Sequence, residues 1–133
     1  MDLGLPHWEV VSVEETTDGY RVDAIYTEEP TRCPHCHRQA PMLYRHGKRQ
    51  QVVKDLPRDG KRVTVVLTRA RYRCLECGRT FLQPLYGVPT GRQMTHRLMR
   101  YIEEQSTHRT SVSVAHETGV SERTVRNITK VTR

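Results

Sequence analysis

Four cysteines carry the most specific chemistry in this sequence: Cys33-Pro34-His35-Cys36 and Cys74-Leu75-Glu76-Cys77-Gly78 are two Cys-x-x-Cys knuckles with 37 residues between them. A knuckle turns the backbone so that both thiolates point at one ion, and two knuckles complete a tetrahedron. A thiolate cage with no open position holds no reactive water. The ion it fits is therefore one structural Zn2+ on Cys33, Cys36, Cys74 and Cys77, with no catalytic role. A thioredoxin-like redox pair needs only one such motif, whereas an iron–sulfur cluster uses the same four ligands. His35, His37 and His46 lie near the site in sequence. Because four cysteines fill the shell, these histidines are expected on the surface or just outside it.

The second constellation starts at Ser111, where the chain reads SVSVAHETGVSERTVRNITK. Val114 and Ala115 are expected to face the preceding core, and Gly119 sits at the turn, where positive φ is easiest for glycine. Val120, Val125 and Ile128 give a buried stripe, and Ser121 is a good N-cap, worth about 1 kcal/mol. Ser121, Glu122, Arg123, Arg126, Asn127 and Lys130 are left on the opposite face. Arg pairs bidentately with guanine, Asn with adenine, and Lys neutralises phosphate, so this face suits double-stranded DNA. The pattern is that of a helix-turn-helix. Thr118 departs from the apolar preference at its position, and an ordinary helical hairpin with a charged outer face is the rival.

Other elements must hold these two constellations. Trp8–Glu14 and Tyr20–Tyr26 are β-prone runs around Thr17-Asp18-Gly19, which predicts a hairpin. Asp55-Leu56-Pro57-Arg58-Asp59-Gly60 reads as a turn opening a long strand from Lys61 to Cys74. On that strand the odd positions run Val63, Val65, Leu67 and then Arg69, Arg71, Arg73, a comb of arginines about 7 Å apart. The comb either clamps DNA phosphates or salt-bridges the acidic N-terminal segment. Met94, Leu98, Tyr101, Ile102 and Gln105 recur at helical spacing and predict an amphipathic helix over 92–107, followed by helices over 112–118 and 122–131.

The chain has 133 residues of which 35% are hydrophobic, so no segment buries a large core without a staple. No apolar run is long enough to span a membrane, and none at the N-terminus resembles a secretion signal, so the paired cysteines predict a reducing, intracellular setting. The net charge of +7 is unevenly spread: residues 1–30 hold one arginine against eight carboxylates, net −7, which leaves +14 for residues 31–133. A basic body favours a polyanionic partner. The acidic segment is expected to meet protein, its own body or a second copy, rather than DNA. The body holds only seven carboxylates (Asp55, Asp59, Glu76, Glu103, Glu104, Glu117 and Glu122), mostly separated in sequence, so no pair obviously positions magnesium ions for nuclease chemistry, and no small-molecule substrate is expected.

Cys-Pro-x-Cys, then Val52-Val53-Lys54-Asp55-Leu56-Pro57, an Arg-rich strand ending Arg71-Tyr72-Arg73-Cys74, Cys77-Gly78-Arg79-Thr80-Phe81 and a helix-turn-helix follow one another in this order. In that order they resemble the N-terminal half of the ISL-type bacterial insertion-sequence transposases, over about residues 30–133. The Asp-Leu-Pro turn is the most specific element of the likeness. In that family a zinc ribbon and a helix-turn-helix precede a catalytic domain with an Asp-Asp-Glu triad, for which the residues after the last helix leave no room. The resemblance implies binding to terminal inverted repeats, and a bacterial cytoplasmic, nucleoid-associated location.

Together these features predict an α+β chain: an acidic β-hairpin over 1–30, a four-cysteine zinc ribbon over 31–89 and a three-helix helix-turn-helix unit over 90–133. The expected function is sequence-specific DNA binding by a transposase module that is not itself an enzyme. A stand-alone zinc-dependent regulator is the alternative.

Overall fold

The computed structural model describes residues 2–38, 42–89 and 91–132. Residue 90, where the sequence places the start of the helical unit, lies outside them. Five strands and three helices follow in the order β1 (Trp8–Thr16), β2 (Gly19–Tyr26), β3 (Leu43–Arg58), β4 (Lys61–Cys74), β5 (Thr80–Leu82), α1 (His96–Gln105), α2 (Ser111–Thr118) and α3 (Glu122–Thr132). The chain is α+β, as its periodicities predict.

The strands form one sheet in the order β1-β2-β4-β3, with β5 on the far end of β4. The N-terminal hairpin closes through Thr17-Asp18, pairing Thr16 with Gly19. Its inner strand β2 then runs parallel to β4, from Gly19 beside Arg62 to Ile25 beside Thr68. A Cβ on Gly19 would lie 2.2 Å from the Arg62 carbonyl oxygen, so this close approach requires glycine. The acidic segment thus meets protein as expected, its own body, and within the same sheet as the ribbon.

The central strand β4 spans its predicted range, but its two halves bury opposite faces. Val63, Val65 and Leu67 join Val22, Ala24, Tyr26 and Val53 in the main core, closed by Leu3 and Trp8. Further along, Ala70, Tyr72 and Cys74 pack with Cys33 and Phe81 in a smaller cluster at the metal end. Alternation along a strand puts odd and even positions on opposite faces.

The predicted turn over residues 55–60 is shorter than expected. β3 continues to Arg58 with an irregularity between Asp55 and Arg58, and only Asp59-Gly60 turns. The reason is Asp55. Its carboxylate is 1% exposed, accepts from Thr95 Oγ1 at 2.8 Å, and takes a two-pronged contact from Arg97 through Nε at 2.8 Å and Nη2 at 2.5 Å. Thr95 is the N-cap of α1 and accepts from the Leu98 N–H. Lys54 beside it pairs its backbone on both sides, donating to the Gln93 carbonyl and accepting from the Thr95 N–H, each at 3.0 Å. Sheet and helices are therefore joined here through backbone and an ion pair whose carboxylate is buried.

The helices pack around Met94, Leu98, Ile102, Val114, Val120, Val125 and Ile128. Gly119 ends α2 with φ 76°, as the turn requires. Thr118, polar where an apolar residue is usual, is fully buried because its hydroxyl donates to the Val114 carbonyl at 2.8 Å and accepts from the Val120 N–H at 3.3 Å. Arg62 supports the same turn from the sheet by donating to the His116 carbonyl at 2.8 Å, where cations suit the end of a helix. Glu117 ties α2 to α1 through the Tyr101 hydroxyl and Arg109. Burial opposes its ionisation, but these two donors win and lower its pKa. That contribution is complete above the ordinary carboxylate range and is lost on acidification.

Removing a buried carboxylate that faces a cation leaves the cation unpaired. Asp55→Ala is expected to lower stability by about 3 kcal/mol in urea unfolding, whereas Asp59→Ala in the exposed turn should cost far less.

Candidate functional site

The two knuckles are built alike. The Cys33 carbonyl accepts from the His37 N–H at 2.9 Å and the Cys74 carbonyl from the Gly78 N–H at 2.8 Å. The Cys33 N–H donates to the Arg38 carbonyl at 3.4 Å, and the Cys74 N–H to the Arg79 carbonyl at 2.9 Å. Each turn ends in a residue of positive φ, Gly78 at 77° and His37 at 57°. Histidine thus occupies a left-handed position where its sister knuckle uses glycine.

All four cysteine Sγ atoms lie within 4.8 Å of one another, with Cys33 to Cys77 at 3.7 Å and Cys36 to Cys74 at 3.9 Å. Zinc–sulfur bonds of about 2.3 Å in a tetrahedron put sulfurs about 3.8 Å apart. The donor set and its spacing fit one structural Zn2+. Burial works against ionising Cys33, but the N–H groups of Cys36 and His35 and the neighbouring thiols bring it down to about 6. The Arg38 N–H favours the Cys36 thiolate, yet burial and hydrogen bonding with the thiols of Cys33, Cys74 and Cys77 push its pKa up to about 11. Four thiolates at one point need a cation to neutralise them. His35 lies outside this set: its Nε2 is 3.1 Å from the Thr80 carbonyl and its ring meets Phe81 edge-on. His37 serves the knuckle turn, and His46 tilts against Tyr44 on β3.

On α3 the predicted stripe is intact. Ser121, Glu122, Arg123, Arg126, Asn127 and Lys130 are exposed, while Val120, Val125 and Ile128 on the other side are at most 7% exposed. Ser121 Oγ accepts from the Thr124 N–H at 3.2 Å and so caps the helix. Arg126 pairs with Glu122 one turn earlier.

The arginine comb is divided by its surroundings. Arg69 turns inward, donating through Nη1 to Gln51 Oε1 at 2.7 Å and through Nη2 to the Gln83 carbonyl. Burial lowers its pKa, and among the described residues no carboxylate pairs with it. Neither sequence expectation, phosphate clamp or salt bridge to the acidic hairpin, describes this side chain. Arg73 is exposed and Arg71 half-buried beside Leu82.

One feature is absent from the sequence expectations. A groove of about 340 Å³ opens between β3 and the start of α3, lined by Val52, Lys54, Arg92, Gln93, Ser121 and Thr124. Burial, together with the nearby Arg62, holds the Lys54 ammonium pKa below its usual value, and its Nζ donates to Thr64 Oγ1 at 2.9 Å. The basic stretch before Asp55 was the sequence signal for this wall.

Residues 29–77 match the family described as the zinc-finger of transposase IS204/IS1001/IS1096/IS1165. Residues 83–130 match the helix-turn-helix domain of transposase family ISL3. No curated protein and no solved structure matches the chain. No helix among the described residues is long and apolar enough to cross a membrane.

The core on Val22, Val53, Val65 and Leu67 stands apart from the metal end, so chelation should release the knuckles rather than unfold the whole sheet. Native mass spectrometry should find one zinc per chain. On its removal, amide exchange should accelerate at residues 33–38 and 72–82 and stay slow at 63–67. Uniform acceleration would show that the main core depends on the metal. Gly78→Ala should cost about 1 kcal/mol or more, and His37→Gly should be neutral or stabilising, by thermal melting of the zinc form.

Proposed function

We propose that this chain, which its zinc ribbon and helix-turn-helix make a DNA-binding module of the ISL3 transposase family, reads the terminal inverted repeats of a mobile element with α3. The observation that carries this is the exposed stripe Ser121, Glu122, Arg123, Arg126, Asn127 and Lys130 on a helix whose opposite side is buried in the helical core. Residues at the N-terminal end of a recognition helix reach deepest into the major groove. Asn127 is assigned to adenine and Arg126 and Arg123 to guanine, with Ser121 and Lys130 on phosphates. Glu122 holds Arg126 until a base edge replaces it. The zinc site maintains the ribbon and takes no part in chemistry.

In this reading these residues bind DNA, and the four cysteines, which lie together as potential metal ligands, hold the ribbon. The acidic hairpin keeps away from phosphates and braces β4. Its outer strand β1 is an open sheet edge, which is the form that self-association between two copies would use.

Arg126→Ala or Asn127→Ala should lose about 1 to 3 kcal/mol on an inverted-repeat duplex and much less on a shuffled one. Competition binding measures the ratio directly. Full discrimination in both variants would remove α3 from sequence readout.

A further inference from the structure

We propose that the outer face of β3, through Arg45 and Lys48, is a second DNA contact that grips the phosphate backbone beside the site occupied by α3. The inference rests on the helix-turn-helix reading above and extends it to a surface outside the helices. In the β3–β4 ladder Lys54 faces Thr64, Val52 faces Val66, Gln50 faces Thr68, Lys48 faces Ala70 and Arg45 faces Tyr72. Every one of these β4 partners is an even-numbered residue, so the five β3 side chains share one face of the sheet.

Arg45 belongs to that row only because of an irregularity between Arg45 and Lys48, where Gly47 takes φ 109°. Without the extra residue there, Arg45 would point to the other face. The near end of the row, Val52 and Lys54, forms one wall of the groove whose other wall is Ser121 and Thr124 at the start of α3. The row is thus continuous with the proposed DNA surface.

Its chemistry suits one occupant. Arg45, Lys48 and Gln50 are exposed, and residues 42–54 contain no carboxylate. On the same sheet face the acidic side chains belong to β1 and β2, on the far side of β4. The cation on the acidic side, Arg21 of β2, is paired with Asp23, whereas Arg45, Lys48 and Lys54 form a basic row along the β3 edge, whose Lys54 end adjoins the helices. From Lys54 to Arg45 the ladder extends about 26 Å at 3.3 Å per residue, or about 8 base pairs of duplex. The joint at Lys54, Asp55, Thr95 and Arg97 fixes this row relative to α3, so both contacts are presented together.

The test uses the full zinc-loaded chain and the double variant Arg45→Ala, Lys48→Ala, with Arg21→Ala on β2 as a charge-loss control. Both target side chains are exposed, so the melting temperature should be unchanged, and Lys48→Ala alone serves if the pair destabilises the fold. The slope of log K against log salt should fall by about 1.8, since each lost phosphate contact removes about 0.9. The preference for the inverted repeat over a shuffled duplex should remain. Shortening the duplex by about 8 base pairs on one flank should weaken the wild type and leave the double variant unaffected. A slope within about half a unit of wild type, or an equal fall in Arg21→Ala, overturns the proposal. Failure of the helix-turn-helix reading is a separate outcome, seen as retained discrimination in Arg126→Ala and Asn127→Ala.

Discussion

A buried carboxylate is the joint on which the rest of this structure turns. Asp55 lies on a strand of the sheet, yet its donors, Thr95 and Arg97, belong to the first helix and its cap. Taking a carboxylate out of water costs several kcal/mol, which only well-placed donors offset. The arrangement therefore tolerates little displacement. It fixes the start of α1, and packing of α1 against α3 then sets where the exposed stripe of α3 faces. Arg62 adds a second strut from the sheet to the end of α2.

Around this joint, charge is sorted by strand. The acidic hairpin occupies one side of β4 and basic β3 the other, so the net +7 becomes a surface with direction. β4 is used on both faces in turn: its first half closes the main core and its second half the metal end. That division makes the zinc site a local staple for the knuckles, with the apolar core holding the middle of the sheet.

Local features were legible in the sequence, and those depending on distant partners were not. The hairpin, the limits of β4 and the existence of three helices follow from alternation, helical periodicity and caps, which neighbouring residues decide; α1, expected over 92–107, runs only from His96 to Gln105, because Met94 bridges to Lys54 of β3 and Thr95 caps the helix. The cysteine cluster was legible because thiolate spacing is a metal's requirement rather than a fold's. The parallel pairing of β2 with β4 leaves no local trace except Gly19, whose need appears only when Arg62 lies against it. Asp55 looked like a turn residue because its partners lie 40 and 42 positions away. Alternation placed Arg69 on the correct strand face, but it could not show that Gln83 and Gln51 would close over its guanidinium.

Sheet and helices must move as one body for the Asp55 joint to place both DNA-facing surfaces together. Backbone 15N relaxation of the zinc-loaded chain measures this directly. Amides of β2–β4 and of α1–α3 should share a single overall correlation time and diffusion tensor. Two distinct correlation times, one for the strands and one for the helices, would show that the Asp55 joint does not hold and would contradict the account.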